Sequence, residues 1–270
     1  MPALVALVRP ANLIAMLLAV GAGAKLAGGD PFVPVALVPV LAAAFGYARN
    51  DAVDAAADAL NRPGRAIPAE RVSVATAHAL AWAALAAAWA LLEVTDPSLP
   101  RVILLVVASV ALYFYSPWGK GLGPLGASTI SLLAGLAVIW GATMGPHPER
   151  AALASLLATL ATFSRECAKD LEDEPGDRRV GKTTWPIRAG RGTVVRAVRV
   201  ASWAAFAVVP TPWIFGSASP VYVVAAGLTA CPLLAWAATR PLRDAPSAAH
   251  ASRALKAALV AGIGSFWLGA

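Results

Sequence analysis

Long apolar runs alternate with short polar stretches along the whole chain of 270 residues. A helix needs about 20 apolar residues to cross the ~30 Å hydrocarbon core of a bilayer, and runs of about this length recur from end to end. Proline, glycine and charged residues lie between the runs and mark their ends. The pattern predicts about nine transmembrane helices with these bounds: 11–27, 33–57, 73–93, 101–116, 122–143, 151–170, 194–215, 219–238 and 251–269.

The composition favours a membrane protein over a soluble one. Hydrophobic residues make up 59% of the chain and charged residues 14%, whereas charged residues make up ~25% of an average soluble domain. The longest polar stretch, about 171–192, is too short to fold alone. We therefore expect one all-α, multi-pass membrane domain over residues 1–270.

The basic residues follow a pattern that orients the chain in the membrane. The formal net charge is +7, and Lys and Arg concentrate in alternate connections between the predicted helices. By the positive-inside rule these connections face the cytoplasm, so the N-terminus also lies inside. This explanation of the charge makes a nucleic-acid partner unnecessary, and no protein partner is evident. We expect a cell-membrane protein whose motifs, described next, face the cytoplasm.

A first acidic motif, Asn50 to Asp58, closes the second predicted helix. In a helix, Asn50, Asp54 and Asp58 fall at i, i+4 and i+8 on one face. The alanines between them favour helix and leave that face uncrowded. Carboxylates at this spacing repel each other, so stacking them beside a membrane implies a cation between them. The alternative is a solvated helix end whose acids pair with Arg62 and Arg65.

A second acidic cluster, Lys169 to Asp177, closes the sixth predicted helix. Pro175 and Gly176 predict the end of that helix, so we expect Asp173 on its last turn and Asp177 on the loop beyond. The two motifs lie four predicted helices apart. This spacing permits two halves that face each other across a central cavity open to the cytoplasmic side.

The two clusters together predict a magnesium site. Oxygen ligands without a His or Cys companion suit Mg²⁺, which is usually completed by water and substrate phosphate. The candidate ligands are Asn50, Asp54, Asp58, Asp173 and Asp177. Basic side chains nearby could meet the remaining oxygens of a diphosphate, since Arg binds phosphate in bidentate fashion. The candidates for binding the diphosphate are Asn50, Arg62, Arg65, Lys120, Arg178 and Lys182.

These motifs resemble those of the UbiA superfamily of intramembrane prenyltransferases. Asn50 to Asp58 matches the family's NDxxDxxxD motif, and Asp173 to Asp177 matches its DxxxD motif. Asn61 to Pro68 is similar to the NRPxRPIP continuation, with Ala66 in place of the usual proline. The number, order and sidedness of the predicted helices also agree, so the resemblance covers nearly the whole chain.

Two shorter matches extend the resemblance. Arg9, Pro10 and Asn12 resemble the RPxN that opens the family's first helix, and Tyr115 with Lys120 resembles a conserved pair on the cytoplasmic side. The family implies Mg²⁺-dependent transfer of a prenyl group from its diphosphate to a lipophilic acceptor, with charge stabilised on the leaving diphosphate. The catalytic residues that carry over are Asp54, Asp58, Asp173, Asp177, Tyr115 and Lys120. Aromatic faces that could stabilise the allylic cation are Phe45, Tyr47, Tyr115, Trp118 and Trp140.

The second motif is similar to the KDxEDxxGD stretch of one group in this superfamily, the archaeal digeranylgeranylglyceryl phosphate synthases. That group implies geranylgeranyl diphosphate as donor and geranylgeranylglyceryl phosphate as acceptor. The group's next segment ends in TLPI, whereas here Trp185 replaces the leucine and Lys182 a small residue. Two alternatives stay open. One is an aromatic acceptor, such as 4-hydroxybenzoate or a naphthoate in quinone biosynthesis, and the other is a membrane transporter with acidic helix-end sites.

Overall fold

The computed structural model describes residues 3–270, apart from the side chain of Lys120. All regular elements in this part are helices, which confirms the predicted all-α class. The α-helices are α1 (Ala3–Val8), α2 (Pro10–Leu26), α3 (Val38–Val53), α4 (Ala55–Asn61), α5 (Val74–Thr95), α6 (Leu99–Trp118), α7 (Pro124–Ala142), α8 (Ala152–Arg179), α9 (Trp185–Ala189), α10 (Arg191–Val208), α11 (Thr211–Ile214), α12 (Pro220–Thr239) and α13 (Ala245–Gly269). Short 3₁₀ turns cover Pro34–Leu37, Gly119–Leu122 and Pro148–Ala151.

Within the described residues, five segments are long and apolar enough to cross a bilayer, judged by length and composition. They are α5, α6, α7, α12 and the segment Arg191–Ile214, which contains α10 and α11. Large apolar side chains are exposed on these helices, for example Leu99 at 71% and Leu228 at 76%. Such apolar surfaces are more stable in contact with lipid than with water. The chain is a multi-pass membrane protein, and the count of about nine spans stays a prediction.

Each predicted apolar segment overlaps one long helix, but some bounds differ. The segment 194–215 is divided between α10 and α11, because Pro210 has no N–H with which to continue α10. The segment 151–170 continues to Arg179 as α8. The cause of this longer helix lies at the candidate site and is described there.

Local sequence explains where several helices begin. Proline lies in the first turn of α2, α7 and α12, where its missing N–H has no helical partner to lose. Ser73 caps α5, with its Oγ 3.0 Å from the N–H nitrogen of Thr76. Asp244 and Ser247 form a reciprocal capping box at the start of α13, with the Ser247 nitrogen 2.8 Å from Asp244 Oδ1. These caps satisfy N–H groups that have no partner within the helix.

Glycines allow α2 and α7 to pack at very close range. A Cβ atom on Gly23 would lie 2.0 Å from the carbonyl oxygen of Val138, and one on Gly141 would lie 1.8 Å from that of Val20. No side chain fits at either position. Small residues at helix interfaces let backbones approach closely in membrane proteins. The contact fixes two helices that form part of the cavity wall described below.

The connections that carry the basic residues meet at one end of the bundle. Arg188 donates a hydrogen bond to the carbonyl of Gly121 at 2.6 Å, which joins the connection after α8 to the one after α6. Arg191 donates to the carbonyl of Leu242 at 2.9 Å, which joins the start of α10 to the connection before α13. This common end agrees with the pattern of basic residues in the sequence. The side of the membrane that it faces stays a prediction.

Candidate active site

The first acidic motif spans the junction between α3 and α4. Asp54 lies at the junction, yet its N–H donates to the Asn50 carbonyl at 2.9 Å, and the Asp58 N–H donates to the Asp54 carbonyl at 2.8 Å. These bonds keep helical spacing across the junction, so Asn50, Asp54 and Asp58 follow one another at successive turns. The two aspartates are buried, with 2% and 5% of their surfaces exposed.

Buried carboxylates of this motif are paired with arginines from the flanking segments. Asp51 accepts from Arg9 and, at 3.1 Å, from Arg65, which also pairs with Asp58. Burial raises the pKa of Asp58 above its usual range, and the Arg65 guanidinium opposes this shift. Sequence reasoning missed the position of Asp51 at the centre of this cluster, because the spacing of Asp54 and Asp58 alone was used to define the face.

The second motif lies inside α8 rather than at its end, so the predicted helix end at Pro175 and Gly176 is wrong. α8 continues to Arg179, and Asp177 is helical. Pro175 cannot donate to the carbonyl of Leu171, four residues earlier. That carbonyl instead accepts from Arg191 Nη1 at 3.1 Å. A side chain from another helix therefore satisfies the group that the proline leaves open.

Gly176 brings the two motifs into contact. A Cβ atom at this position would lie 1.9 Å from Oδ1 of Asn61, the last residue of α4. Asn61 Nδ2 donates to the carbonyl of Asp173 at 3.2 Å. The glycine in the second motif therefore has a packing role, because it lets α8 approach the end of the first motif.

Two ion pairs join the motifs across this contact. Arg62 Nη2 lies 2.8 Å from Asp173 Oδ1, and Lys182 Nζ lies 2.6 Å from Asp54 Oδ1. Burial lowers the pKa of Arg62, but the Asp173 carboxylate and two further carboxylates outweigh it and raise this pKa overall. Asp173 and Asp177 are themselves buried, at 9% and 4% exposure. The four predicted aspartates are thus gathered at one end of the bundle.

The remaining predicted site residues fall in different places. Arg178 pairs with Glu174 at 3.1 Å, and 62% of its side chain is exposed. Tyr115 lies in the last turn of α6, within electrostatic range of Asp54 and Asp173. The side chain of Lys120 lies outside the described part of the chain. The structure therefore groups Arg62, Arg65 and Lys182 with the aspartates and turns Arg178 away from them.

The donor atoms of the two motifs are of the type that binds a hard cation. They are buried carboxylate oxygens, which Mg²⁺ prefers over nitrogen and sulfur ligands. In the described part of the chain no three His, Cys, Asp or Glu side chains converge closely enough to hold a metal ion. Arg65, Lys182 and Arg62 instead neutralise Asp58, Asp54 and Asp173 respectively. The predicted ligands fit Mg²⁺ in chemical type, and these cations would have to move aside to admit it.

A cavity of about 310 Å³ lies beside the first motif. Asn50, one turn before Asp54, lines it together with Tyr115, while most of its wall consists of alanine, leucine and other apolar side chains from α2, α3, α6, α7, α8 and α13. An apolar cavity next to a carboxylate cluster can hold a hydrophobic chain with an anionic head group. Its opening to the cytoplasmic side stays a prediction.

Of the aromatic residues considered from sequence, Tyr47, Tyr115 and Trp140 line the cavity. Phe45 is fully buried in the packing between helices, and Trp118 is 57% exposed. Neither of these two is among the described residues of the cavity wall. The aromatic faces that can contact a ligand are therefore fewer than the sequence indicated.

Sequence reasoning also missed three charged residues of the cavity wall, which are Arg165, Glu166 and Lys256. They lie within α8 and α13, inside segments that were predicted as apolar spans. A charged residue in such a span is a signal of function on its own, because its burial in lipid is costly. This signal was available from the sequence.

Comparisons with known proteins show the family to which the chain belongs. The profile of the UbiA prenyltransferase family matches residues 10–262. A digeranylgeranylglyceryl phosphate synthase of Methanopyrus kandleri is 36% identical over 271 residues, and the match covers 98% of each chain. The chain is therefore similar along its whole length to a curated prenyltransferase.

Solved structures show the same fold. A structure described for digeranylgeranylglyceryl phosphate synthase in membranes has a TM-score of 0.76 at 22% identity, over 99% of this chain and 97% of that one. A UbiA homologue from Archaeoglobus fulgidus, bound to GPP and Mg²⁺, has a TM-score of 0.66 at 16% identity, over 98% of this chain and 99% of that one. The family profile and the full-length relative agree with this fold, and the chain belongs to the UbiA prenyltransferase family.

Proposed function

We propose that this prenyltransferase moves a geranylgeranyl group from geranylgeranyl diphosphate to the free hydroxyl of geranylgeranylglyceryl phosphate. The reaction uses Mg²⁺ and takes place at the cytoplasmic side of the cell membrane. A C–O bond forms at the allylic carbon, the bond to the diphosphate breaks, and the hydroxyl proton is released. The observation that carries the proposal is the junction of the two acidic motifs through Arg62–Asp173 and Lys182–Asp54.

In this proposal substrate binding breaks the ion pairs between the aspartates and their cationic partners. The aspartates then bind the metal, and the cations bind the diphosphate. Asp54, Asp58, Asp173 and Asp177, with Asn50, would hold the metal. Bound Mg²⁺ would neutralise charge that develops on the leaving diphosphate. Arg62, Arg65 and Lys182 would turn from the carboxylates to phosphate oxygens, which form strong charge-assisted hydrogen bonds with Arg and Lys.

The cavity supports the next part of the proposal. An allylic cation must be kept from water until the acceptor attacks it. Asn50 and Tyr115 lie where the cavity meets the first motif, so the prenyl chain would extend from the diphosphate into apolar surroundings. The rings of Tyr47 and Tyr115 would face the positive carbon and stabilise it.

The choice of acceptor rests on the relative from Methanopyrus kandleri, whose name specifies digeranylgeranylglyceryl phosphate synthesis. The aromatic acceptors of quinone biosynthesis are the second candidate, as the resemblance to the superfamily implied. The transporter alternative has no support once the chain belongs to a family of prenyltransferases. An acceptor that carries a phosphate also agrees with the basic residues that line the cavity.

The test is a transfer assay with purified protein, geranylgeranyl diphosphate and a set of acceptors, with and without Mg²⁺. Mass spectrometry should find digeranylgeranylglyceryl phosphate only when Mg²⁺ is present, and no prenylated 4-hydroxybenzoate or naphthoate. Asp54→Asn and Asp177→Asn should abolish transfer while the proteins still elute as folded particles in detergent. Asp30→Asn, at an exposed residue of a connection, is the matched control. A prenylated aromatic product would contradict the proposed acceptor. Full turnover by Asp54→Asn would contradict the proposed role of Asp54 as a metal ligand.

A further inference from the structure

The wall of the cavity carries an excess of positive charge. Arg9, Arg165, Lys169 and Lys256 line the cavity, and among the described lining residues Glu166 is the one carboxylate. These side chains come from the N-terminal end of α2 and from α8 and α13. Three separate segments therefore place like charges around one space.

The pairing of these groups leaves part of this charge without a counter-ion. Glu166 is shared between Arg165 at 2.7 Å and Lys169 at 3.1 Å. Lys256 Nζ is hydrogen-bonded to Asn12 Oδ1 at 2.6 Å, which is a neutral amide oxygen. Among the described residues, no carboxylate lies within ion-pair distance of Lys256.

The guanidinium of Arg165 has a free donor at the same place. Its Nε is buried and has no hydrogen-bond partner among the described residues. Arg9 and Arg165 are both close enough to act electrostatically on Lys256. A buried donor without an acceptor, and a lysine ammonium that faces two guanidinium groups with only an amide oxygen as its partner, are both costly in a medium of low dielectric constant. An anion bound between Arg165 and Lys256 would remove both costs.

We infer that Arg165 and Lys256, with Asn12 and Arg9 beside them, form a binding site for a phosphate monoester, namely the phosphate of the lipid acceptor. A phosphate offers three acceptor oxygens and nearly two negative charges, which match an Arg fork and a Lys ammonium. The inference rests on the proposed function. It adds a second anion site, distinct from the one that the acidic motifs would form for the diphosphate.

The geometry separates the acceptor phosphate from the donor diphosphate. Asp54, Asp58, Asp173 and Asp177 are not among the described residues of the cavity wall, whereas Arg165, Lys256 and Asn12 are. Asn50 and Tyr115 lie on the wall where the cavity meets the first motif. An acceptor anchored by its phosphate at Lys256 would be held in the same cavity that receives the allylic end of the donor.

Direct binding in detergent tests this site without requiring turnover. The probes are geranylgeranylglyceryl phosphate and geranylgeranylglycerol, which differ only by the phosphate. We expect the wild type to bind the phosphate form about 10- to 100-fold more tightly, as one charge-assisted hydrogen bond typically provides. Lys256→Met and Arg165→Met should each reduce that preference about tenfold or more and leave binding of the alcohol unchanged. Lys25→Met, which replaces a lysine outside the cavity wall, is the matched control.

Steady-state kinetics then separate the two anion sites. Lys256→Met should raise the KM for geranylgeranylglyceryl phosphate about tenfold or more and leave the KM for the donor within about twofold. Equal binding of the two probes by the wild type, or an unchanged preference in both variants, would overturn the inference. A rise in the donor KM equal to that of the acceptor would also overturn it. Tight, Lys256-dependent binding of geranylgeranylglyceryl phosphate without any prenyl transfer would instead contradict the proposed function. It would still support the phosphate site.

Discussion

Arg62, which follows the first acidic motif, forms an ion pair with Asp173 of the second motif, at 2.8 Å between Nη2 and Oδ1. Lys182 and Asp54 form a second such pair. The arginine and lysine therefore connect the motifs. In the proposed function the same two cations would bind the diphosphate when the aspartates hold a metal ion.

Arg62→Met should lower kcat/KM for the prenyl diphosphate about 10- to 100-fold, because a charge-assisted hydrogen bond to phosphate is lost. Arg178→Met is the matched control. Arg178 is exposed and pairs with Glu174, so its variant should stay within about threefold of wild type. Steady-state kinetics at saturating acceptor measure both. Equal losses of kcat/KM in the two variants would contradict the assignment of Arg62, rather than Arg178, to the diphosphate.

Gly176→Ala should push the Asn61 amide away from α8, since the new Cβ would lie 1.9 Å from Asn61 Oδ1. The hydrogen bond from Asn61 to Asp173 would then be lost, at a cost of about 1 kcal/mol in unfolding free energy. Asn61→Ala should cost about the same, and the double variant should be no worse than either single one. Gly227→Ala, on α12 with open space around it, is the control. Additive losses in thermal unfolding would contradict this coupling.

Arg191→Met should destabilise the protein by about 1–3 kcal/mol, because the buried Leu171 carbonyl loses the donor that Pro175 cannot supply. Pro175→Ala introduces an N–H that can reach this carbonyl. It should therefore raise the melting temperature more in the Arg191→Met protein than in the wild type. The recovery should be partial, because Arg191 also bonds to Leu242 and Asp244. The same effect of Pro175→Ala in both backgrounds would refute the explanation.

The capping box of α13 gives a pH-dependent contribution to stability. Hydrogen bonds from the Ser247 hydroxyl and main-chain N–H lower the pKa of Asp244 below its usual range. A lowered pKa in the folded state stabilises the protein above the unfolded value of about 3.9, and this stabilisation is lost as pH falls through the folded value. Thermal unfolding of wild type and Asp244→Ala should differ at pH 7, and the difference should shrink towards pH 3. A difference that stays constant over this range would contradict the assignment.

Much of the architecture could be predicted from the sequence because a bilayer imposes a simple rule of length and apolarity. Each predicted apolar segment overlaps a long helix, and the segments that carry the two acidic motifs do meet. Asp54 and Asp58 were singled out because repulsion between stacked carboxylates demands an explanation within one short segment. Interactions within short segments of the chain were enough to predict these features.

The features that sequence reasoning missed depend on contacts between distant segments. Pro175 ends a helix by local rules, but Arg191 satisfies the carbonyl that the proline leaves open. Local rules predict that Gly176 ends a helix, yet its lack of a side chain makes room for Asn61. Lys256 was hidden within an apolar span, and its position on the cavity wall emerges only when α13 packs beside α2 and α8.

Mn²⁺ electron paramagnetic resonance can measure whether the two acidic motifs bind one metal ion together. Protein in detergent would be titrated with Mn²⁺ in the presence of a prenyl diphosphate, and the free Mn²⁺ signal would report binding. We expect wild type to bind Mn²⁺ only with the diphosphate present or far more tightly with it, and Asp54→Asn and Asp173→Asn each to weaken binding at least about tenfold. Binding that is unchanged when either aspartate is replaced would contradict a single site shared by the two motifs.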